Sequence, residues 1–179
     1  MSERTRRVVA CATALAVTAL LVSCRKEEDS VASSIAKTER QLVERVTANP
    51  TDLEGRLSLA NLYYDTDRPH RAIPAYQEVL KHRPDDPNIR TDLGTCYKRI
   101  NRLDKARAEY EYVLSHNPGH LKATFNLAVV CELTADWKSA AGLWDKVVAM
   151  VPETREGKAA VKSCGTGFFL IGCDQQVQL

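Results

Sequence analysis

The sequence lacks the short motifs by which nucleotide-binding and redox proteins are most readily detected. It has no glycine-rich loop that could hold a phosphate, no Cys-x-x-Cys pair and no haem-attachment motif. His116 and His120 are separated by Pro118 and Gly119, so they do not share a helical face as metal ligands would. No cluster of catalytic acid, base or nucleophile stands out. These absences predict no catalysis, no metal and no cofactor.

An excess of charge of one sign is also missing. The chain has 25 Lys and Arg against 23 Asp and Glu, and its first 23 residues contribute three arginines and one glutamate. The remaining residues therefore carry 22 basic and 22 acidic side chains. A balanced chain creates no net field that would attract the phosphate backbone of a nucleic acid. We therefore predict no nucleic-acid partner, and the missing motifs predict no small-molecule substrate.

No apolar run is long enough to span a membrane comfortably. The uncharged stretch from Val8 to Ser23 falls short of the about 20 apolar residues that a spanning helix needs. Three arginines, Arg4, Arg6 and Arg7, precede this stretch and small residues end it, which is the pattern of a secretory signal. Residues 1–23 are therefore predicted to be a signal peptide.

The end of this stretch indicates how the exported chain would be processed. Leu21-Val22-Ser23-Cys24 resembles the lipobox of bacterial lipoproteins, in which a branched apolar residue and small residues directly precede a cysteine. The resemblance implies that Cys24 receives a diacylglycerol thioether and that the chain is cut before it. The new amino group can then be acylated, for example with palmitate, and several acyl chains anchor a protein stably. The alternatives are an uncleaved signal anchor and an ordinary cleaved signal.

A lipid at Cys24 would hold the chain at a membrane of the bacterial cell envelope, facing the periplasm or the exterior. Arg25 follows the cysteine in place of the aspartate that retains some lipoproteins in the inner membrane, which favours the outer membrane. Residues 24–33 have no apolar period and are predicted to be a polar tether. The tether reaches about 30 Å at most, so the rest of the chain would stay close to the bilayer.

Prolines reveal an internal repeat. Pro50, Pro84, Pro118 and Pro152 are each 34 residues apart, and three segments align on that period without a gap. Position 8 of each segment is a small residue, position 20 is alanine, position 24 is aromatic and position 27 is valine. The residues at position 8 are Ala60, Gly94 and Ala128, and those at position 24 are Tyr76, Tyr110 and Trp144.

The repeated residue types have a physical explanation. Positions 4, 7, 8 and 11 recur at helical spacing, as do 20, 24, 27 and 28, so each unit is predicted to contain two amphipathic helices. Small residues at positions 8 and 20 let the paired helices approach closely, and the aromatic residue fills the space between units. Proline at position 32 ends the second helix. Asp67, Asn101 and Asp136, at or beside position 15, supply turn residues between the helices.

This pattern resembles the tetratricopeptide repeat. The resemblance implies an all-α fold, a right-handed αα-solenoid of helix-turn-helix repeats, with repeat 1 at 53–86, repeat 2 at 87–120 and repeat 3 at 121–154. Residues 34–50 are predicted to be an N-terminal capping helix from a partial repeat. Residues 155–179 are predicted to form a C-terminal capping helix and a tail.

The resemblance also implies where a partner would bind. Tetratricopeptide arrays curve so that their first helices line a concave face, which holds an extended peptide or a helix. By register, positions 2, 5, 9, 12 and 13 face that groove. The residues predicted to bind a partner there are Leu57, Asn61, Tyr64, Thr95, Lys98, Arg99, Lys122, Phe125, Val129 and Leu133. The same register contains Glu54, Asp65, Asn88, Thr91 and Glu132.

The groove residues do not favour the acidic tail of a cytosolic chaperone as the partner. Family members that clamp such tails carry basic side chains where this chain has Leu57 and Asn126, although Asn61 and Lys122 fit that pattern. We instead expect Phe125 and its apolar neighbours in α-helical register to receive a partner's side chains. The alternative is that these residues only contact the end helix.

The function predicted from these features is that of a lipid-anchored, non-catalytic adaptor or scaffold that binds another protein. Families of this design assemble pilus or secretion machinery, assemble the outer membrane, or mature cytochrome c. One rival is a purely structural spacer within a complex. The other is a redox protein or enzyme that uses Cys164 and Cys173, which are either a disulfide or two free thiols.

Overall fold

A computed structural model of the protein describes residues 30–151, and every regular element in that range is an α-helix. Several predictions fall outside the described residues: the signal peptide, the lipidated Cys24, most of the tether, the C-terminal cap with its tail, and the pair Cys164 and Cys173. The chain divides into two compact units between Pro50 and Thr51.

The first unit contributes helix α1, which occupies residues 30–48. This helix includes residues 30–33, which the sequence assigns to the polar tether. Within it, the hydroxyls of Ser34 and Thr38 donate to the carbonyls of Val31 and Ser34, at 2.8 and 3.0 Å. A missing apolar period indicates a tether, but a helix satisfies its backbone groups internally and can form without such a period. The helix is therefore longer than predicted, and its role as a cap of repeat 1 stays a prediction.

The described part of the second unit, residues 51–151, contains six helices in three successive pairs. Helices α2 (Leu53–Asp65) and α3 (Pro69–Leu80) lie in repeat 1, and α4 (Pro87–Arg99) and α5 (Leu103–His116) lie in repeat 2. Helices α6 (Leu121–Leu133) and α7 (Trp137–Met150) lie in repeat 3. From α2 to α7 each helix packs on the next one along the chain, and α4 also touches α6. The first helices of repeats 2 and 3 therefore lie side by side.

Side chains fix where the first helix of each repeat begins. Asp52, Asp86 and His120 each accept a hydrogen bond from the backbone amide three residues later, at 2.9, 3.1 and 3.1 Å. These bonds satisfy amides that have no carbonyl partner within the helix. For His120 the acceptor is Nδ1, so this ring nitrogen carries no proton. The caps occupy matching positions of the repeat, so the three first helices start in the same register.

The turn inside each repeat requires a left-handed backbone. Asp67, Asn101 and Ala135 have φ angles of 53°, 58° and 58° and share position 15. Asp and Asn tolerate this conformation better than other residues with a Cβ atom, because their short side chains bond locally. Asp136, which the sequence assigns to this turn, instead caps α7 by accepting from the amide of Ser139 at 3.3 Å. The turn of repeat 3 is therefore made by alanine.

The residues at positions 8 and 24 are buried in the core of each repeat. Tyr76 and Tyr110 are fully buried, and Trp144 is 2% exposed. A Cβ atom placed on Gly94 would lie 2.6 Å from Cε1 of Tyr110, which is closer than real Cβ contacts allow. Glycine is therefore required in repeat 2 because the tyrosine ring occupies the space that a methyl group would need.

Glycine-to-alanine substitutions at Gly94 and, as a control, at Gly142 test the close approach. Gly94→Ala is expected to destabilise the protein by about 1–3 kcal/mol, because Tyr110 is enclosed on all sides and its ring cannot retreat. Helix propensity alone predicts the opposite sign, a gain of up to about 1 kcal/mol. Urea denaturation followed by circular dichroism would measure the difference.

Gly142→Ala is the matched control. Gly142 is exposed in α7, and a Cβ atom there would meet nothing within 4 Å. Its replacement should stabilise the protein by roughly 0.5–1 kcal/mol through helix propensity. If both variants became more stable, Tyr110 would be shown to have room to move and the packing argument would fail.

Candidate functional site

The predicted groove residues lie on the first helices, α2, α4 and α6, and we call the surface formed by these side chains the groove face. Lys122 of repeat 3 has its Nζ 5.6 Å from the ring centroid of Tyr64 in repeat 1. Side chains two repeats apart therefore meet over this surface. Such a contact requires the groove face to be the inward-curving side of the array.

Hydrogen bonds from the core aromatics hold the floor of the groove face. The hydroxyl of Tyr76 donates to Oδ1 of Asn61 at 2.8 Å, and the hydroxyls of Tyr110 and Thr95 are 3.1 Å apart. Both bonds join position 24 to position 9 of the same repeat. Burial raises the pKa of both tyrosines, so their hydroxyls stay protonated. Each of these two tyrosines thus packs its ring in the stack and supports the groove with its hydroxyl.

Two predicted groove residues of α4 offer little surface. Thr95 is 7% exposed and Thr91 is fully buried. Thr95 Oγ1 donates to the carbonyl of Thr91 at 2.9 Å and also contacts the Tyr110 hydroxyl. These threonines form the floor, and the two cations that α4 contributes to the groove face, Lys98 and Arg99, lie in its last turn.

That last turn carries Arg99, which the structure ties to repeat 1. Its Nη1 donates to the backbone carbonyl of Tyr64 at 2.6 Å, and its guanidinium lies 4.3 Å from the Tyr64 ring centroid. Asp67 lies 3.4 Å from the same nitrogen and forms an ion pair. Arg99 therefore joins repeats 1 and 2 and orients Tyr64 on the groove face.

Lys98 lies beside Arg99 in a different environment. Its ammonium donates to Oδ1 of Asn126 at 2.6 Å, and the amide of Asn126 in turn donates to the carbonyl of Lys122 at 2.8 Å. Lys98 is half-buried. This burial, with a smaller contribution from Arg99, lowers the pKa of Lys98 below its usual value. The cation is therefore partly desolvated beside a neutral partner.

Lys122 is already paired on the same surface. Its Nζ lies 2.5 Å from Oδ1 of Asp92, and this bond holds the pKa of Lys122 above its usual value although burial opposes it. Asp92 stands at position 6 of repeat 2, which is outside the register used to predict the groove. Position 6 holds Ser58, Asp92 and Asn126 in the three repeats, and its variation in charge is the sequence signal that points to it.

The apolar residues of α6 divide between packing and surface. Phe125 is half-buried, with its ring 5.1 Å from that of Trp144 in an edge-to-face arrangement. Val129 is half-buried and Leu133 is 60% exposed. Trp144 also donates its indole N–H to Glu132 at 2.8 Å. Phe125 therefore partly belongs to the packing of repeat 3, whereas Leu133 extends the apolar strip into solvent.

The other end of the groove face is polar. Leu57 is half-buried and Asn61 is exposed on α2, where Glu54 forms an ion pair with Arg83. Asn88 Oδ1 lies 3.3 Å from Nε2 of His120. The face thus combines mixed side chains on α2, cations at the end of α4 and apolar side chains on α6.

The two described cysteines are packing residues. Cys96 is fully buried and Cys131 is 1% exposed, and both are free thiols. Burial raises the pKa of Cys96 to about 12. Burial also raises the pKa of Cys131, although a hydrogen bond donated by Arg107 to its sulfur at 3.1 Å opposes the shift. Neither thiol has the exposed thiolate character of a reactive cysteine.

Within residues 30–151, no three His, Cys, Asp or Glu side chains are grouped so that they could hold a metal ion. The helices that the structure describes are each too short or too polar to cross a membrane.

Comparison with known families agrees with this architecture. A family model described as tetratricopeptide repeat matches residues 57–111 and 97–154, which together make up more than half of the chain. The chain belongs to the tetratricopeptide-repeat family. The predicted all-α solenoid of tetratricopeptide repeats is thereby confirmed. The sequence matches no curated protein.

Several solved structures have the same fold. A crystal structure of MamA superposes with a TM-score of 0.72 at 18% identity, covering 81% of this chain and 83% of that one. YrrB, described as a tetratricopeptide protein with an unusual peptide-binding site, gives 0.67 at 20% identity over 74% and 68% of the two chains. The first repeat domain of Spaghetti (RPAP3), bound to the HSP90 peptide SRMEEVD, gives 0.62 at 16% identity over 67% and 93%.

The packing role of Cys96 and Cys131 predicts slow chemical modification. In the native protein both should react with iodoacetamide roughly a thousandfold more slowly than in urea, because exposing them requires about 4 kcal/mol of local opening. Mass spectrometry of proteolytic peptides would assign the label to each cysteine. Rapid labelling of either residue in the folded chain would contradict its placement in the stack.

Proposed function

We propose that this protein is a non-catalytic adaptor that binds a segment of another protein on its groove face. The observation that carries the proposal is the apolar strip of α6 beside the cationic end of α4, on a floor fixed by hydrogen bonds from the core. The side chain of Leu133 is 60% exposed, and Val129, one turn earlier on α6, is half-buried. A rigid surface with apolar anchors next to charged groups suits a peptide or a helix.

The relatives support a protein partner without identifying it. The structures of YrrB and of the first Spaghetti domain are described by a peptide-binding site and by a bound peptide, respectively. Those descriptions apply to those proteins, and at 20% and 16% identity their ligands do not transfer to this chain. Here Lys122 is neutralised by Asp92, and an uncharged Leu57 stands where tail-clamping members have a basic side chain. The proposed partner is therefore not a chaperone tail.

The binding claim is tested by a groove variant with intact folding. Leu57→Ala, Val129→Ala and Leu133→Ala together remove apolar groove surface but spare Tyr64 and Phe125, which also hold the repeats together. The partner would first be identified by crosslinking in the native cell and then recovered by pull-down. We expect the triple variant to recover at least about tenfold less partner, because a few apolar anchors carry most of an interface's energy.

The control is a variant altered on the second helices. Glu78→Ala and Lys138→Ala change exposed or partly exposed charged residues on α3 and α7 and should leave recovery unchanged. Circular dichroism must show both variants folded. Equal recovery by the groove variant and the control would remove the groove face from the mechanism.

We further propose that the protein is lipid-anchored in the bacterial cell envelope through Cys24, with the outer membrane favoured. The support is the order of basic start, apolar core and lipobox within residues 1–24. Anchoring would place the groove face within reach of other envelope proteins, since the polar segment after Cys24 is short.

The anchor is tested by metabolic labelling. Cys24→Ala should abolish the incorporation of labelled palmitate and leave an unprocessed precursor or a soluble product, because the acceptor sulfur is lost. Cys11→Ala alters a cysteine inside the signal peptide and should leave labelling unchanged. Normal lipid incorporation in the Cys24→Ala protein would show that the chain is not anchored in this way.

A further inference from the structure

One cation on the groove face lacks an acidic partner among the residues that the structure describes. Arg99 pairs with Asp67 at 3.4 Å, and Lys122 pairs with Asp92 at 2.5 Å. Lys98 has only the neutral amide oxygen of Asn126. A half-buried ammonium has lost part of its hydration, and a neutral acceptor replaces that loss incompletely. Its environment is therefore suited to receiving an anion.

Lys98 keeps hydrogen-bond donors that such an anion could use. An ammonium has three N–H donors, and Asn126 accepts one of them. The amide of Asn126 is itself fixed, since its nitrogen donates to the carbonyl of Lys122 at 2.8 Å. Asn126 thus holds the end of the lysine side chain in one position and leaves two donors for a ligand.

The neighbouring charges limit how much negative charge this position can balance. Asp92, six residues before Lys98 on α4, is already paired with Lys122 at 2.5 Å, and Arg99, which follows Lys98 directly, is paired with Asp67. Lys98 therefore offers one positive charge without an acidic partner among the described residues. A single carboxylate on a partner's side chain balances that charge.

We propose that Lys98, positioned by Asn126, is the binding site for one acidic side chain, an aspartate or a glutamate, of the protein segment that binds the groove face. The inference rests on the proposed function and specifies the chemistry of the partner. The exposed apolar strip of α6 lies on the helix that carries Asn126, so the bound segment should place apolar residues near its acidic residue. Binding at Lys98 would restore to the ammonium an interaction that burial has removed.

The test uses peptides as probes. A library of random 12-residue peptides with amidated C-termini would be selected against the full-length protein, so that no terminal carboxylate can supply the anion. We expect the selected peptides to share one Asp or Glu beside apolar residues. In the strongest binder, changing that residue to its amide should weaken binding about tenfold, as expected for a charge-assisted bond at an interface.

Variants of the protein test whether Lys98 is the binding site for the acidic residue. With Lys98→Gln the acidic and amide peptides should bind within about twofold of each other, since the charge pair is absent from both. Lys98→Arg retains a cation and should retain a preference for the acid. Lys105→Gln, an exposed residue on α5, should behave as the parent protein.

The outcomes separate the two proposals. If the Lys98→Gln protein kept the full preference for the acidic peptide, the acidic residue would bind elsewhere and this inference would be overturned. Loss of binding in the triple variant of Leu57, Val129 and Leu133 would then still support the groove face. If no selected peptide lost affinity in that triple variant, the proposed function and the inference would both fail.

Discussion

The structure depends on close packing of the two helices of each repeat, around a buried small residue at position 8 and a buried aromatic residue at position 24. Gly94 shows how little space the contact leaves, since a Cβ atom there would lie 2.6 Å from the ring of Tyr110. Because the paired helices must come this close, the side of each first helix that faces its second helix is committed to the stack. The opposite side is left for a ligand, and this division creates the groove face.

The same aromatic residues connect the stack to the groove. In repeats 1 and 2 the tyrosine hydroxyl reaches position 9, at Asn61 and Thr95. In repeat 3 position 9 is Val129, which has no hydrogen-bonding group, and Trp144 instead donates to Glu132 at 2.8 Å. The loss of a polar floor in repeat 3 leaves an apolar strip there. The groove therefore changes from polar to apolar between repeats 2 and 3, where the core residue at position 24 changes from tyrosine to tryptophan.

Much of this architecture could be predicted from the sequence, because the 34-residue period fixes the register of every helix pair. The period could not show that residues 30–33 belong to α1, because their side chains continue no apolar repeat. It also missed Asp92, because charge at position 6 matters only when the next repeat brings Lys122 within 2.5 Å. Thr95 occupies a groove position in the register, but its exposure depends on the tyrosine beneath it. Which side chains pair between repeats depends on the tertiary structure, and the repeat pattern does not specify it.

Charges on the groove face differ in what they can give a partner. The pair of Lys122 and Asp92 is already satisfied, so a ligand that displaces it gains little net energy. Lys98 belongs to repeat 2 and is held by Asn126 of repeat 3. A ligand bound there would contact two adjacent repeats, and in a solenoid each interface contributes separately to stability. Because a ligand stabilises the state that it binds, occupancy at this point would strengthen the interface between repeats 2 and 3 and make the array more rigid where the partner is held.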